Sequence, residues 1–175
     1  MKRKSTPHQS EPSEQKNRGA PGSPVRIEAG LYKIYTALPS TPRKLVEMSL
    51  TQNSDLSYNV ELFRDNNEAQ SKWQIHLSAQ GDLECLLINS KIFRALEAKG
   101  GNVIASIIPA SDSKPGHGWF FKSAGREGGI DLFYIENRHT GNVMDVKESN
   151  TADGADIIEF NYVGTTNQKF ILEKI

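Results

Sequence analysis

The feature that most constrains this chain is a threefold recurrence with a period near fifty residues. An aromatic residue closing a short apolar run stands at Trp73, Trp119 and Phe170, separated by 46 and 51 positions. An acidic residue stands earlier in each unit, at Glu47, Glu97 and Asp145, separated by 50 and 48 positions. An isoleucine marks the opening run at Ile34, Ile88 and Ile135. One such match is unremarkable, but three landmarks repeating in the same order define a supersecondary unit used three times. The units fall at about 28–80, 81–128 and 129–175.

Each unit reads as four short strands separated by turn formers. In the third unit these are residues 132–135, a turn at His139-Thr140-Gly141, residues 143–146, a polar loop closed by Asp153-Gly154, residues 157–160, and a closing strand beginning at Asn167-Gln168-Lys169-Phe170. The first unit repeats the pattern, and ten positions separate Phe63 from Trp73 just as ten separate Phe160 from Phe170. The second unit is degenerate: ten positions before Trp119 stands Pro109, which supplies neither a ring nor a ladder donor. Residues 94–99 have helical composition, yet their place in the repeat makes them strand, so the chain is expected to be all-β.

The run Asn167-Gln168-Lys169-Phe170 resembles the Gln-x-Trp/Phe signature of ricin B-type lectin repeats, and residues 143–146 resemble the acid-bearing strand that precedes it there. The resemblance implies a β-trefoil of three repeats, in a single-domain form without disulfides. It also implies a non-catalytic carbohydrate-binding module, with galactose or N-acetylgalactosamine glycans as the expected partners. Carried onto this sequence, the sugar site falls in the third repeat at Asp145, Ile158, Phe160, Asn167 and Gln168. In that scheme the carboxylate accepts from sugar hydroxyls, the ring meets the C–H face, Asn167 reaches the sugar and Gln168 holds the carboxylate. A second candidate set is Glu47, Phe63 and Gln70, with a serine where Gln168 would be. No such site is expected in the second repeat, which offers Glu97, Pro109 and Gly116-His117. Asp145 is informative by itself, because a carboxylate among Val143, Met144 and Val146 needs a partner.

Composition narrows the setting. A domain of this size buries enough surface to fold without covalent staples, and the single Cys85 has no intrachain partner. With no apolar run of signal or membrane-span length and no Asn-x-Ser/Thr acceptor, the expected location is cytoplasmic. Residues 1–27, with four prolines and few large apolar residues, are expected to form a disordered basic tail. Its clusters at 2–4 and 16–18 are open to reading as a loose nuclear import signal. The formal net charge is zero, which argues against a general nucleic-acid binder.

Enzymatic and metal-dependent readings find little support. Cys85 sits in an apolar run, the four histidines have no ligand spacing, and Asp153-Gly154 lacks the glutamate that a calcium loop requires. No cofactor is expected, and an oligomer remains compatible with the sequence. The competing reading is a β-trefoil protease inhibitor acting through a protruding loop, at residues 38–44 or 111–118. Retention of Asp145, Asn167 and Gln168 as a set favours the lectin.

Overall fold

The short apolar runs become strands. The structure, a computed structural model, describes residues 19–78, 83–108 and 115–175. The first repeat forms β1 (Gly30–Thr36), β2 (Lys44–Gln52), β3 (Tyr58–Arg64) and β4 (Trp73–Leu77). The second forms β5 (Cys85–Asn89), β6 (Arg94–Lys99), β7 (Asn102–Ile107) and β8 (Trp119–Glu127). The third forms β9 (Ile130–Asn137), β10 (Val143–Val146), β11 (Ala155–Phe160) and β12 (Phe170–Lys174). Helix among the described residues is limited to three short 3-10 turns. The segment of helical composition is strand β6, where pairing with β7 along its whole length overrides local propensity.

Six strands close a barrel in the order β1, β4, β5, β8, β9, β12 and back to β1, every pair antiparallel. The other six form the hairpins β2–β3, β6–β7 and β10–β11, and the second strands of these hairpins pair with one another in a triangle that caps the barrel. This is a β-trefoil, and its closure removes the barrel edges at which strands could add.

Trp73, Trp119 and Phe170 each begin the fourth strand of their repeat and are fully buried. The indole N–H of Trp73 donates to the Val46 carbonyl at 2.9 Å, and that of Trp119 donates to the Leu96 carbonyl at 3.0 Å. Val46 and Leu96 hold the same place in their hairpins, so each indole ties barrel to cap.

Strand register corrects two sequence assignments. Trp73 pairs with Tyr32, Trp119 with Cys85 and Phe170 with Phe133. Counting two residues on makes Ile34, Leu87 and Ile135 equivalent, all buried. The landmark of the second repeat is therefore Leu87 and not Ile88, because a slip of one residue turns a side chain to the opposite face. Likewise Leu45 pairs with Phe63, Ala95 with Ser106 and Val143 with Phe160. The counterpart of Phe160 in the second repeat is thus Ser106. Pro109, nominated by counting back from Trp119, lies outside the described residues; the longer β7–β8 connection defeats a fixed count.

The chain also joins the barrel before residue 28. Residues 19–27 lie along β8, with Pro24 bridged to Lys122 and the Val25 N–H donating to the Phe121 carbonyl at 2.8 Å. Ala20 and Ile27 are buried. The Ala20 N–H donates to Glu136 Oε2 at 2.7 Å, its carbonyl accepts from Lys122 Nζ at 2.9 Å, and Lys122 pairs with Glu136 at 2.8 Å. A clamp made of residues a hundred positions away leaves no trace in local composition. The basic clusters at 2–4 and 16–18 lie outside the described residues.

Candidate functional site

Hairpin β10–β11 builds the third-repeat site. Asp145 pairs directly with Ile158, and Val143 with Phe160, so Asp145, Ile158 and Phe160 share one face of the hairpin. Asn167 and Gln168 come from a 3-10 turn, Thr166–Gln168, rather than from the start of β12 as their sequence position suggested. The turn swings both amides back over the hairpin. Asn167 Nδ2 donates to Asp145 Oδ1 at 2.9 Å and to the Val146 carbonyl at 3.2 Å. Gln168 Nε2 donates to Asp145 Oδ2 at 2.9 Å and to the Asn161 carbonyl at 2.9 Å, while its Oε1 accepts from the N–H groups of Val163 and Gly164 at 2.9 and 3.1 Å. Gln168 therefore fixes both the carboxylate and the loop after β11.

Asp145 is buried, and burial raises its pKa from the ordinary aspartate value, opposed by the hydrogen bonds from Gln168 and Asn167. A carboxylate offers about four acceptor positions, and the two amides occupy two, so capacity remains for ligand hydroxyls. Beside it Phe160 is 49% exposed, unusual for a large ring that has a barrel available to enter. Ile158 is half-buried and Val163 exposed next to that ring in sequence. A fixed acceptor at the base and an apolar face at the rim suit a ligand that is polar on its edges and apolar on one face.

The other two repeats diverge at the same positions. In the first, Glu47 pairs with Glu61, which replaces Ile158. Ser71 replaces Gln168, and its hydroxyl donates to the Glu68 carbonyl instead of the acid. Glu47 is left 4% exposed with Oε2 unpartnered among the described residues. Burial, then Glu61 and Asp153, raise its pKa to about 7. Gln70, the counterpart of Asn167, is 5% exposed and its Oε1 is also unpartnered. Phe63 is half-buried, with the Arg64 guanidinium 5.9 Å from its ring centre.

In the second repeat the acid position is closed from within. His117 stands where Gln168 does, with Nε2 3.6 Å from Glu97 and 2.8 Å from the Ser106 hydroxyl. Gly116 replaces Asn167 at φ +97°, and a Cβ there would meet the Ala98 carbonyl at 2.6 Å, so no amide side chain fits.

Residues 115–175 match a family described as ricin-type β-trefoil lectin domain-like. The fold is a β-trefoil, and over those residues the chain is similar to that family. It is similar to the Macrolepiota procera ricin B-like lectin solved in complex with lactose, at 13% identity over 86% of this chain and 100% of that one, TM-score 0.65. The Rhizoctonia solani agglutinin is 19% identical over 87% and 100% of the two chains, TM-score 0.65. A proteinase inhibitor from Coprinopsis cinerea is 12% identical over 85% and 99%, TM-score 0.66. At these identities the likeness concerns the trefoil alone. A comparison with curated protein sequences finds no match.

Sequence reading missed the residues that support the trefoil's turns. Asn89 Nδ2 donates to the Gln70 carbonyl and Asn137 Nδ2 to the Gly116 carbonyl, both at 2.8 Å. Each therefore holds the turn that precedes a closing Trp. The signal was present, since each Asn follows its buried landmark, Leu87 or Ile135, by two residues. Glu61 was missed because its importance is a matter of register.

Proposed function

We propose that this protein is a non-catalytic carbohydrate-binding module whose site for neutral sugars is in the third repeat. The observation that carries this reading is Asp145 held by two amide donors beside the exposed ring of Phe160. Asp145 accepts from a pair of sugar hydroxyls, Phe160 and Ile158 receive the C–H face, and Asn167 adds a contact while Gln168 keeps the carboxylate in place. A few hydrogen bonds of about 1 kcal/mol net each, plus one ring, give an affinity near the millimolar level, about −4 kcal/mol. The lactose complex of the Macrolepiota protein makes galactosides the first probes to use.

The second reading is protease inhibition through a loop, favoured by the likeness to the Coprinopsis inhibitor. The loop between β1 and β2 is tied down at its start, where Leu38 is buried and its N–H donates to Thr36 Oγ1 at 3.1 Å. Residues 111–114 of the other loop lie outside the described residues. A glycan array run beside a protease panel separates the two readings. Retention on galactosides with no inhibition supports the lectin, and a blank array with tight inhibition supports the inhibitor.

A further inference from the structure

The first repeat keeps the framework of the third-repeat site and reverses its polarity. At the rung where Asp145 faces Ile158, Glu47 faces Glu61. Directly paired residues of an antiparallel hairpin point to the same side with Cβ atoms about 5 Å apart, so the two carboxylates confront each other. Glu61 is half-buried, and burial followed by the nearby Asp156 raises its pKa as well.

The nearby cations are engaged elsewhere. Lys44 and Arg64 both bind Asp153, at 2.5 and 2.6 Å, and Lys147 lies 3.7 Å from Asp156. Two buried acceptors, Glu47 Oε2 and Gln70 Oε1, have no partner among the described residues. A buried acceptor left unsatisfied is destabilising, and more so when it is charged. The position thus holds two unpartnered buried acceptors and is walled by Phe63, with a guanidinium already 5.9 Å from its ring centre.

We propose that the first repeat is a site for an amino sugar, its protonated primary amine held by Glu47 and Glu61, its remaining N–H directed to Gln70 Oε1 and its ring against Phe63. The inference rests on the sugar-binding reading of the equivalent position in the third repeat. An ammonium carries three donors and one positive charge, which matches the three acceptors and favours the ionised form of Glu47, whose proton is released as the amine enters. A neutral sugar brings no charge to set against the two acids. A divalent cation needs six or more oxygens in a compact shell, and among the described residues no group of three acidic, His or Cys side chains is placed to hold a metal.

The test is an NMR titration of the full chain at pH 7 with glucosamine and with N-acetylglucosamine, which differ at the nitrogen. Glucosamine is expected to shift the amides around Glu47, Glu61 and Gln70 and to bind there about tenfold more tightly than the N-acetyl sugar. Glu61→Ile, which restores the third-repeat arrangement, and Glu47→Gln are each expected to remove that preference, the amide spectrum confirming that the variants are folded. Galactoside shifts at Asp145, Phe160 and Asn167 report the third repeat separately, so failure of either site is seen by itself. Absence of glucosamine shifts, equal binding of the two sugars, or a preference that survives Glu61→Ile overturns the proposal. Equal shifts with calcium chloride overturn it in favour of a metal. Equal binding of an Nα-acetyl-lysine amide overturns it in favour of a peptide ligand.

Discussion

Asp145 and Glu47 occupy the same rung of their hairpins, and their surroundings make them chemically different. Asp145 has two amide donors; Glu47 has burial, an opposed Glu61 and an unpartnered oxygen. Since the folded-state pKa of Glu47 is raised to about 7 from an ordinary 4.5, the native state holds its proton more tightly than the unfolded chain. Its contribution is fully present below about pH 4.5 and is lost as pH rises through 7. Glu47→Gln is therefore expected to flatten the stability profile between pH 5 and 8 and to stabilise the protein above pH 7 by on the order of 2 kcal/mol. Urea denaturation across that range checks it, and a variant that tracks the parent at every pH contradicts it. Asp145 was legible in sequence because a carboxylate in an apolar run demands a partner. The predicament of Glu47 was not, because it depends on which residue lies across the hairpin.

At the scale of elements, strand positions followed from the apolar runs, while register and connections did not. The landmark at Ile88 failed by one residue because a continuous apolar run has no alternation to reveal its face. The amides of the third-repeat site were assigned to a strand because a single 3-10 turn has no periodicity to read. The indole bonds of Trp73 and Trp119 give this scale its own test. The third repeat manages with Phe170, so Trp73→Phe is expected to preserve the fold while leaving the Val46 carbonyl unpaired, at a cost of about 1–3 kcal/mol by chemical denaturation. Trp73→Ala removes the core ring as well and is expected to cost about 3–5 kcal/mol. The N-terminal strap makes a second test. Starting the chain at Gly19 is expected to leave the thermal midpoint unchanged. Starting it at Glu28 strips Ala20 and Ile27 from the core and opens the Lys122–Glu136 clamp, with an expected loss on the order of 2–4 kcal/mol and a midpoint lower by several degrees. Equal midpoints for the two truncations would show that the strap contributes nothing.

The whole molecule is threefold in its backbone and asymmetric in its chemistry. The symmetry was legible because closing a barrel with three units repeats the same buried positions, and large buried side chains recur visibly in sequence. The asymmetry was legible where residue types changed outright, as at Asn167 and Gly116. It was hidden where a connection lengthened, as between Ser106 and Trp119, or where a neighbour changed, as from Ile158 to Glu61. One repeat keeps an acid clamped by two amides beside an exposed ring, one fills that space with its own histidine, and one opposes two carboxylates. On the function proposed above, a molecule arranged in this way offers one site to neutral sugars, and crosslinking of glycans would then require oligomers. The most direct measurement is an NMR titration of the full chain with lactose, repeated on Asp145→Ala and on Glu97→Ala. The account predicts one site near millimolar affinity, shifts centred on Asp145, Phe160 and Asn167, loss of binding in folded Asp145→Ala, and unchanged binding in Glu97→Ala. Three equivalent sites, or lactose binding that persists without Asp145, would contradict it.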